Sequence, residues 1–376
     1  MNPQKLNRRI LFLFSDTGGG HRSAAEAIIE AIHLEYPDEE FQIEMIDILR
    51  EYGTLLFKYA PAQYPYMVKA PQMWGLGYRL TNGPRRVRAV SDMLWPYIRR
   101  SMHRLLADHP SDIIVSVHPL PNMPLLRAMG KRKTLYSTVV LDMVTTHASW
   151  YDRRADLVIV PTQSAFERGL HYGMPAEKME IIGMPVADRF CQPLGDRMSL
   201  RKGLDWPANK PAVLIVGGGE GMGPLESVVK AISNMNLDIN LVVVSGRNKQ
   251  LRQHLLSVEW NVPVKVYGFV REMPKLMRAA DVLITKAGPG TISEAFIAGL
   301  PLILYHRLLG QETGNVDYVV DNGAGVWAPD PDRIATVLRN WLNDPVILKR
   351  FAEASAHLAR PQAARQIARR LVEFTK

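Results

Sequence analysis

Short apolar runs, each closed by a glycine-rich or polar turn and followed by a helically spaced segment, recur along this chain in two series. The first series holds Ile10–Phe14, Phe41–Ile48, Asp112–Val117, Thr134–Leu141 and Leu157–Pro161. The second holds Ala212–Val216, Leu237–Ser245, Val264–Tyr267, Val282–Ile284 and Leu302–Tyr305. Runs of this kind alternating with helices build parallel sheets covered on both faces. Between the series, Ala187–Asn209 is polar and contains Pro193, Gly195 and Pro207, and it reads as a linker. At 376 residues the chain is long for one core. The expected fold is therefore α/β, with two doubly wound, Rossmann-like domains facing a cleft.

Composition narrows the class. An apolar fraction of 47% and a charged fraction of 22% belong to an ordinary globular protein. Cys191 is the single cysteine, which excludes an internal disulfide framework and a cysteine-rich zinc site. No apolar run approaches the roughly 20 residues of a membrane span. Arg8-Arg9 followed by Ile10–Phe14 resembles the opening of a signal peptide, but the apolar part stops at Ser15-Asp16, too short for an h-region. A cytoplasmic protein is the expectation. The net charge of +9 leaves nucleic acid, an anionic membrane surface and phosphorylated substrates as possible partners.

In the first half, Ser15-Asp16-Thr17-Gly18-Gly19-Gly20-His21 joins the first strand to a helix over Arg22–His33. The glycines permit a sharp turn and leave space above a helix N-terminus, where an open α/β sheet places ligands. His21 falls in the first helical turn. The helix dipole disfavours its protonated form, which suits a neutral base; the plain alternative is a histidine that caps or packs, and Asp16 is a candidate N-cap. His118 and His147 also follow strands, but no ligand spacing or acidic partner supports a metal.

The composition changes over residues 52–104. Leu55-Leu56-Phe57, Tyr59, Tyr64, Tyr66, Met67, Met73 and Trp74 are interrupted by Pro61, Pro65 and Pro71. Arg79, Arg85, Arg86, Arg88, Arg99, Arg100 and Arg104 follow. Aromatics beside arginines suit the headgroup layer of an anionic membrane. Single-stranded nucleic acid is a weaker reading, and an internally packed helical insertion is the plain one.

In the second half, Gly217-Gly218-Gly219-Glu220-Gly221-Met222-Gly223-Pro224 follows a strand directly. So many glycines point to close backbone approach by a diphosphate rather than to packing. The loop matches neither GxGxxG nor GxxxxGK[ST], which disfavours nicotinamide cofactors and P-loop ATP binding. A second corner, Thr285 to Ala295, runs strand, glycine turn, helix start, and offers unpaired amides to an anion. Gln311, Glu312 and Asn315 lie just downstream, with the donors and acceptors that sugar hydroxyls require. Glu294, in the helix after the corner, is the natural ribose partner.

Together, Ser15–His21, Gly217–Pro224, Thr285–Ala295 and Gly310–Asn315 resemble the glycosyltransferases of family 28 type that make glycolipids from diacylglycerol. The likeness is to plant-type monogalactosyldiacylglycerol synthases, within a wider family that includes bacterial diacylglycerol glucosyltransferases. The resemblance implies a GT-B fold with an acceptor and membrane domain over 1–190 and a UDP-sugar domain over 191–356. A C-terminal helix, 357–376, would return to the first domain, drawn from Pro345–Phe374. It further implies inverting transfer from a UDP-sugar, preferably UDP-galactose, to diacylglycerol, with no cofactor and no essential metal. His21 resembles the family's base. Gly218 and Gly219 with Thr285, Lys286, Ala287, Gly288, Pro289, Gly290 and Thr291 resemble the diphosphate cradle. Glu294 corresponds to the ribose ligand, and Gln311, Glu312 and Asn315 to the hexose contacts. Gly19, Gly20, Asp142, His147 and Trp150 match the acceptor side, and Lys286 would neutralise the departing UDP. With the first strand beginning at Ile10, a bacterial member is expected, peripheral on the cytoplasmic side of the cell membrane, without nucleic acid as a partner. A UDP-glucose-dependent glucosyltransferase is the near alternative. A UDP-sugar epimerase or hydrolase of the same fold is the alternative from another class, and a non-catalytic sensor is a third.

Overall fold

The computed structural model describes residues 8–17, 19–53, 71–131 and 133–375. They divide into two compact units. One comprises Met1–Asp188, Leu309–Gln311 and Gln362–Lys376; the other comprises Arg189–Leu308 and Glu312–Pro361. The chain thus passes from the first unit to the second after Asp188, against the expected 190, and returns at Gln362, against the expected 357.

The first unit is built on a parallel sheet of six described strands. They are β1 (Arg8–Phe14), β2 (Phe41–Asp47), β3 (Ile113–Ser116), β4 (Leu135–Val139), β5 (Leu157–Val160) and β6 (Met179–Ile181). The spatial order is β2-β1-β3-β4-β5-β6. Ile10 to Phe14 are all buried, as a strand covered on both faces demands. The second unit repeats the plan with β7 (Ala212–Val216), β8 (Asn240–Val244), β9 (Val264–Tyr267), β10 (Val282–Lys286), β11 (Leu302–His306) and β12 (Gly325–Trp327). Their order is β12-β11-β10-β7-β8-β9, again all parallel. Val213, Ile215, Leu241, Val243, Val282, Ile284 and Ile303 carry its core.

In both sheets the strand order reverses next to the first strand. The reversal lies between β1 and β3 in one unit and between β7 and β10 in the other. At such a point the loops leaving adjacent strands diverge to opposite faces and open a crevice at the carboxyl ends. Ser15 to Thr17 after β1 and Val117-His118 after β3 flank the first reversal, and the Gly217–Pro224 and Ala287–Gly290 turns flank the second.

Two parts of the chain differ from expectation. The polar stretch Ala187–Asn209 is not irregular throughout, because it holds helices Asp188–Cys191 and Arg197–Gly203. Arg201 in the second helix is buried: Nε donates to Ala279 O at 2.9 Å, and Nη2 pairs with Asp281. This helix therefore belongs to the second unit's fold rather than to a free linker. At the other end, Pro345–Phe374 is two helices, Pro345–His357 and Ala363–Phe374. Only the latter belongs to the first unit, where Ala363, Ala364, Ile367, Ala368, Leu371 and Val372 are buried. It packs on the helix Gly20–Glu35. Arg365 and Arg369 bind Glu35 at 3.1 and 2.5 Å, and Arg365 also binds Asp188 at 2.9 Å.

Candidate functional site

At the reversal in the first unit, the turn after β1 is held from several sides. Asp16 N donates to Asp47 Oδ2 at 3.1 Å, and both Asp16 oxygens accept from Arg22 at 2.8 and 2.7 Å. Asp16 is therefore no N-cap. Gly19 occupies that position in the left-handed conformation, φ 80°, and no side chain caps the helix. A Cβ at Gly20 would meet nothing within 4 Å, so the space above the helix start is open. Gly18 lies outside the described residues.

His21 stands in the first turn of that helix, half-buried. Its Nδ1 lies 2.6 Å from Val117 O. A carbonyl oxygen only accepts, so Nδ1 carries the proton and Nε2 keeps the lone pair. Burial lowers its pKa to about 4, partly offset by the bond to Val117, so the ring is neutral near pH 7. His118 packs beside it with ring centroids 4.5 Å apart. Its Nδ1 accepts from Leu120 N at 3.3 Å, which leaves Nε2–H to donate to Thr17 Oγ1 at 3.3 Å. His118 is itself pushed well below the usual range, by burial and then by His21. In the sequence His118 stands only among the histidines that follow strands, with no metal claimed and no role of its own; its position after β3, at the reversal beside His21, is the feature that singles it out.

The other acceptor-side candidates are engaged with the protein. Trp150 is buried, its ring centroid 6.1 Å from that of His21, and its Nε1 donates to Asp142 Oδ2 at 2.7 Å. His147 accepts at Nδ1 from Ser149 N at 3.2 Å and meets Thr81 Oγ1 through Nε2 at 3.2 Å. Its pKa falls to about 4 through burial and the nearby Arg168. His147 thus anchors the end of helix Pro71–Thr81. Gln311 groups with this unit, where its Nε2 donates to Asp142 Oδ1 at 3.0 Å.

At the second reversal, the loops after β7 and β10 converge on one lysine. Gly218 is left-handed, φ 71°, and a Cβ there would come within 3.1 Å of Lys286 Cε. The glycine density has a packing component that the sequence reading denied. A Cβ at Gly221 would strike Ser245 O, and one at Gly223 would strike Tyr305. Close approach by a ligand is therefore not what the whole loop's glycines are for.

Within Thr285–Thr291 the groups separate by what they already bind. Thr285 is buried and ties β10 to β7 through Val216 O at 2.9 Å. Ala287 N donates to His306 O, and Ala287 O accepts from Asn315 Nδ2 at 2.9 Å. Gly288 N donates to Lys286 O, and Gly288 is the N-cap of helix Pro289–Ala298, which no side chain caps. Pro289 has no N–H. The amides of Gly290 and Thr291 therefore remain, at the positive end of a helix dipole, with the Lys286 ammonium beside them. Lys286 Nζ lies 2.5 Å from Glu312 Oε1, and Glu312 Oε2 accepts from Leu308 N at 2.8 Å. Two buried polar atoms nearby in the sequence have no partner, Asn315 Oδ1 and His306 Nδ1. Glu294, on the same helix, is lifted by burial to about 7, with Arg189 opposing the rise.

Residues 21–186 match the monogalactosyldiacylglycerol (MGDG) synthase family profile, and residues 212–367 match the glycosyltransferase family 28 C-terminal domain. A probable chloroplastic monogalactosyldiacylglycerol synthase of Nicotiana tabacum is 37% identical over 98% of this chain and 71% of its own length. Monogalactosyldiacylglycerol synthase 3 of Arabidopsis thaliana is 38% identical over 95% of this chain and 79% of its own length. This chain belongs to the monogalactosyldiacylglycerol synthase family. As a member of the MGDG synthase family it is a glycosyltransferase, and the epimerase, hydrolase and sensor readings fall away. Among solved structures, Acinetobacter baumannii MurG aligns with a TM-score of 0.64 at 17% identity, covering 97% of this chain and 99% of MurG. At that identity the likeness is one of fold, the two-domain GT-B architecture that the two parallel sheets form.

Proposed function

We propose that this enzyme transfers galactose from UDP-galactose to the free hydroxyl of 1,2-diacylglycerol, inverting the anomeric centre to give a β-galactolipid. The observation that carries the reading is likeness across nearly the whole chain to proteins named for that product. The chemistry of the two crevices supports it. In the first unit, His21 is neutral, its tautomer set by Val117 O, with Nε2 as the nitrogen able to take a hydroxyl proton. In the second unit, Lys286 and the amides of Gly290 and Thr291 take the diphosphate, whose charge grows as UDP leaves. Charge neutralisation from these groups lets the donor site work without a metal. Glu294 accepts the ribose hydroxyls, and Asn315, whose buried Oδ1 has no partner, supplies a hexose contact.

The acceptor reaches the enzyme from a bilayer. Helices Pro71–Thr81 and Pro84–Asp108 each leave an apolar row exposed: Met73, Leu76 and Leu80 on one, Val90, Met93 and Tyr97 on the other. Both rows follow i, i+3, i+7, one face of a helix. Exposed arginines accompany them, and such a surface suits anionic headgroups. Leu55 to Met67, the aromatic half of that expectation, lie outside the described residues. Among the described residues no helix is long and apolar enough to cross a membrane. Peripheral attachment at the cytoplasmic face of a membrane is the location this reading requires. Thin-layer analysis of products from diacylglycerol offered each UDP-sugar separately tests the function. A galactolipid from UDP-galactose is expected; a glucolipid alone would replace the donor, and no hexosyl-lipid from any donor would overturn the reading.

A further inference from the structure

Lys286 and Glu312 form an ion pair that is nearly out of water, the side chains 13% and 4% exposed. The lysine does not reach its partner across empty space. Its stem runs close against Gly218, where a Cβ would lie 3.1 Å from Cε, and its ammonium lies 3.0 Å from where a Cβ on Gly288 would be. The ammonium therefore sits between the two glycine turns of the reversal, next to the uncapped start of helix Pro289–Ala298. An anion seated on the Gly290 and Thr291 amides would meet a cation already engaged with a carboxylate.

We propose that Glu312 and the donor's diphosphate compete for Lys286, so that Glu312 holds the lysine in the donor-free enzyme and releases it when the donor binds. This rests on the reading of the second crevice as a UDP-sugar site. The exchange has a consequence for specificity. When the ammonium turns to the diphosphate, Glu312 Oε2 keeps Leu308 N, but Oε1 loses the lysine. A carboxylate oxygen buried without a donor is unfavourable, and a hexose hydroxyl can replace the lost bond. UDP alone supplies no such hydroxyl. Glu312 would thus weaken UDP relative to UDP-hexose, favouring the intact donor and easing departure of the product nucleotide. Neither residue needs to touch the reacting atoms for this; both act by positioning charge.

The test is calorimetric titration of UDP and of UDP-galactose into the full-length enzyme, Glu312→Gln, and the double variant Lys286→Met/Glu312→Gln. Glutamine retains an oxygen for Leu308 N, and the double variant leaves no unpaired charge behind, so both are suited to folding; thermal unfolding checks each. With the competing carboxylate gone, UDP should bind Glu312→Gln about tenfold more tightly, the scale of one charge-assisted hydrogen bond. The preference for UDP-galactose over UDP should shrink in the same variant. In the double variant the gain should vanish, with UDP no tighter than in the unaltered enzyme. Unchanged or weaker UDP binding by Glu312→Gln would overturn the competition. So would a double variant that keeps the gain, because the effect would then be general electrostatics rather than release of Lys286. Failure of the unaltered enzyme to bind UDP would overturn the donor-site reading itself, and the inference with it.

Discussion

Glu294 is the residue through which pH should reach the donor site. Burial raises its carboxyl from 4.5 to about 7, so at neutral pH both forms are present. On the proposed ribose assignment the carboxylate accepts from ribose hydroxyls, so affinity for UDP-galactose should fall as pH drops below about 7, by up to about tenfold in all, the worth of one charge-assisted hydrogen bond. Glu294→Gln should bind more weakly at pH 8 and show little pH dependence; a pH-independent wild-type titration between about pH 5.5 and 8.5 would contradict the ribose assignment. Stability carries the opposite sign. The unfolded chain releases this proton near 4.5 and the folded chain near 7, so folded stability falls as pH rises through that window. His21 was legible in the sequence because a glycine run and the helical spacing behind it fix its place in the first turn. The commitments of His147, Trp150 and Glu312 were not. Each is set by a partner that spacing does not reveal, such as Lys286, or Thr81 on a separate helix.

At the scale of elements, the apolar runs predicted ten strands, and all ten are present with ends shifted by up to three residues. Met179–Ile181 and Gly325–Trp327, the edge strands β6 and β12, were missed because three residues carry no period. The helix Arg197–Gly203 was hidden by its polarity, since a buried arginine looks solvated until its partner Asp281 is known. The C-terminal helix makes a direct prediction. Leu371 is fully buried on the first unit, so Leu371→Ala should cost about 2–5 kcal/mol, read by denaturant unfolding. An effect below about 0.5 kcal/mol, the ordinary size for a surface change, would mean that the helix is not packed there. For the exposed rows, Leu80→Asp with Met93→Asp should reduce flotation with anionic vesicles several-fold while leaving UDP affinity unchanged. Undiminished flotation would move membrane contact elsewhere.

For the molecule as a whole, two sheets of the same plan each place a site at the point where their strand order reverses. One carries a neutral imidazole with a free lone pair, the other a lysine and uncapped helix amides. The proposed single-displacement transfer would use them as a base for the acceptor and as charge for the departing nucleotide. Family membership supplies the reaction class, and the roles of His21 and Lys286 are the proposal to be tested. The most direct measurement is the anomeric configuration, by NMR, of the lipid made from UDP-galactose and diacylglycerol, taken with UDP titration of His21→Ala. A β-galactolipid from the unaltered enzyme is predicted, with no product from His21→Ala although that variant still binds UDP. An α-linked product, or substantial turnover by His21→Ala, would contradict the account.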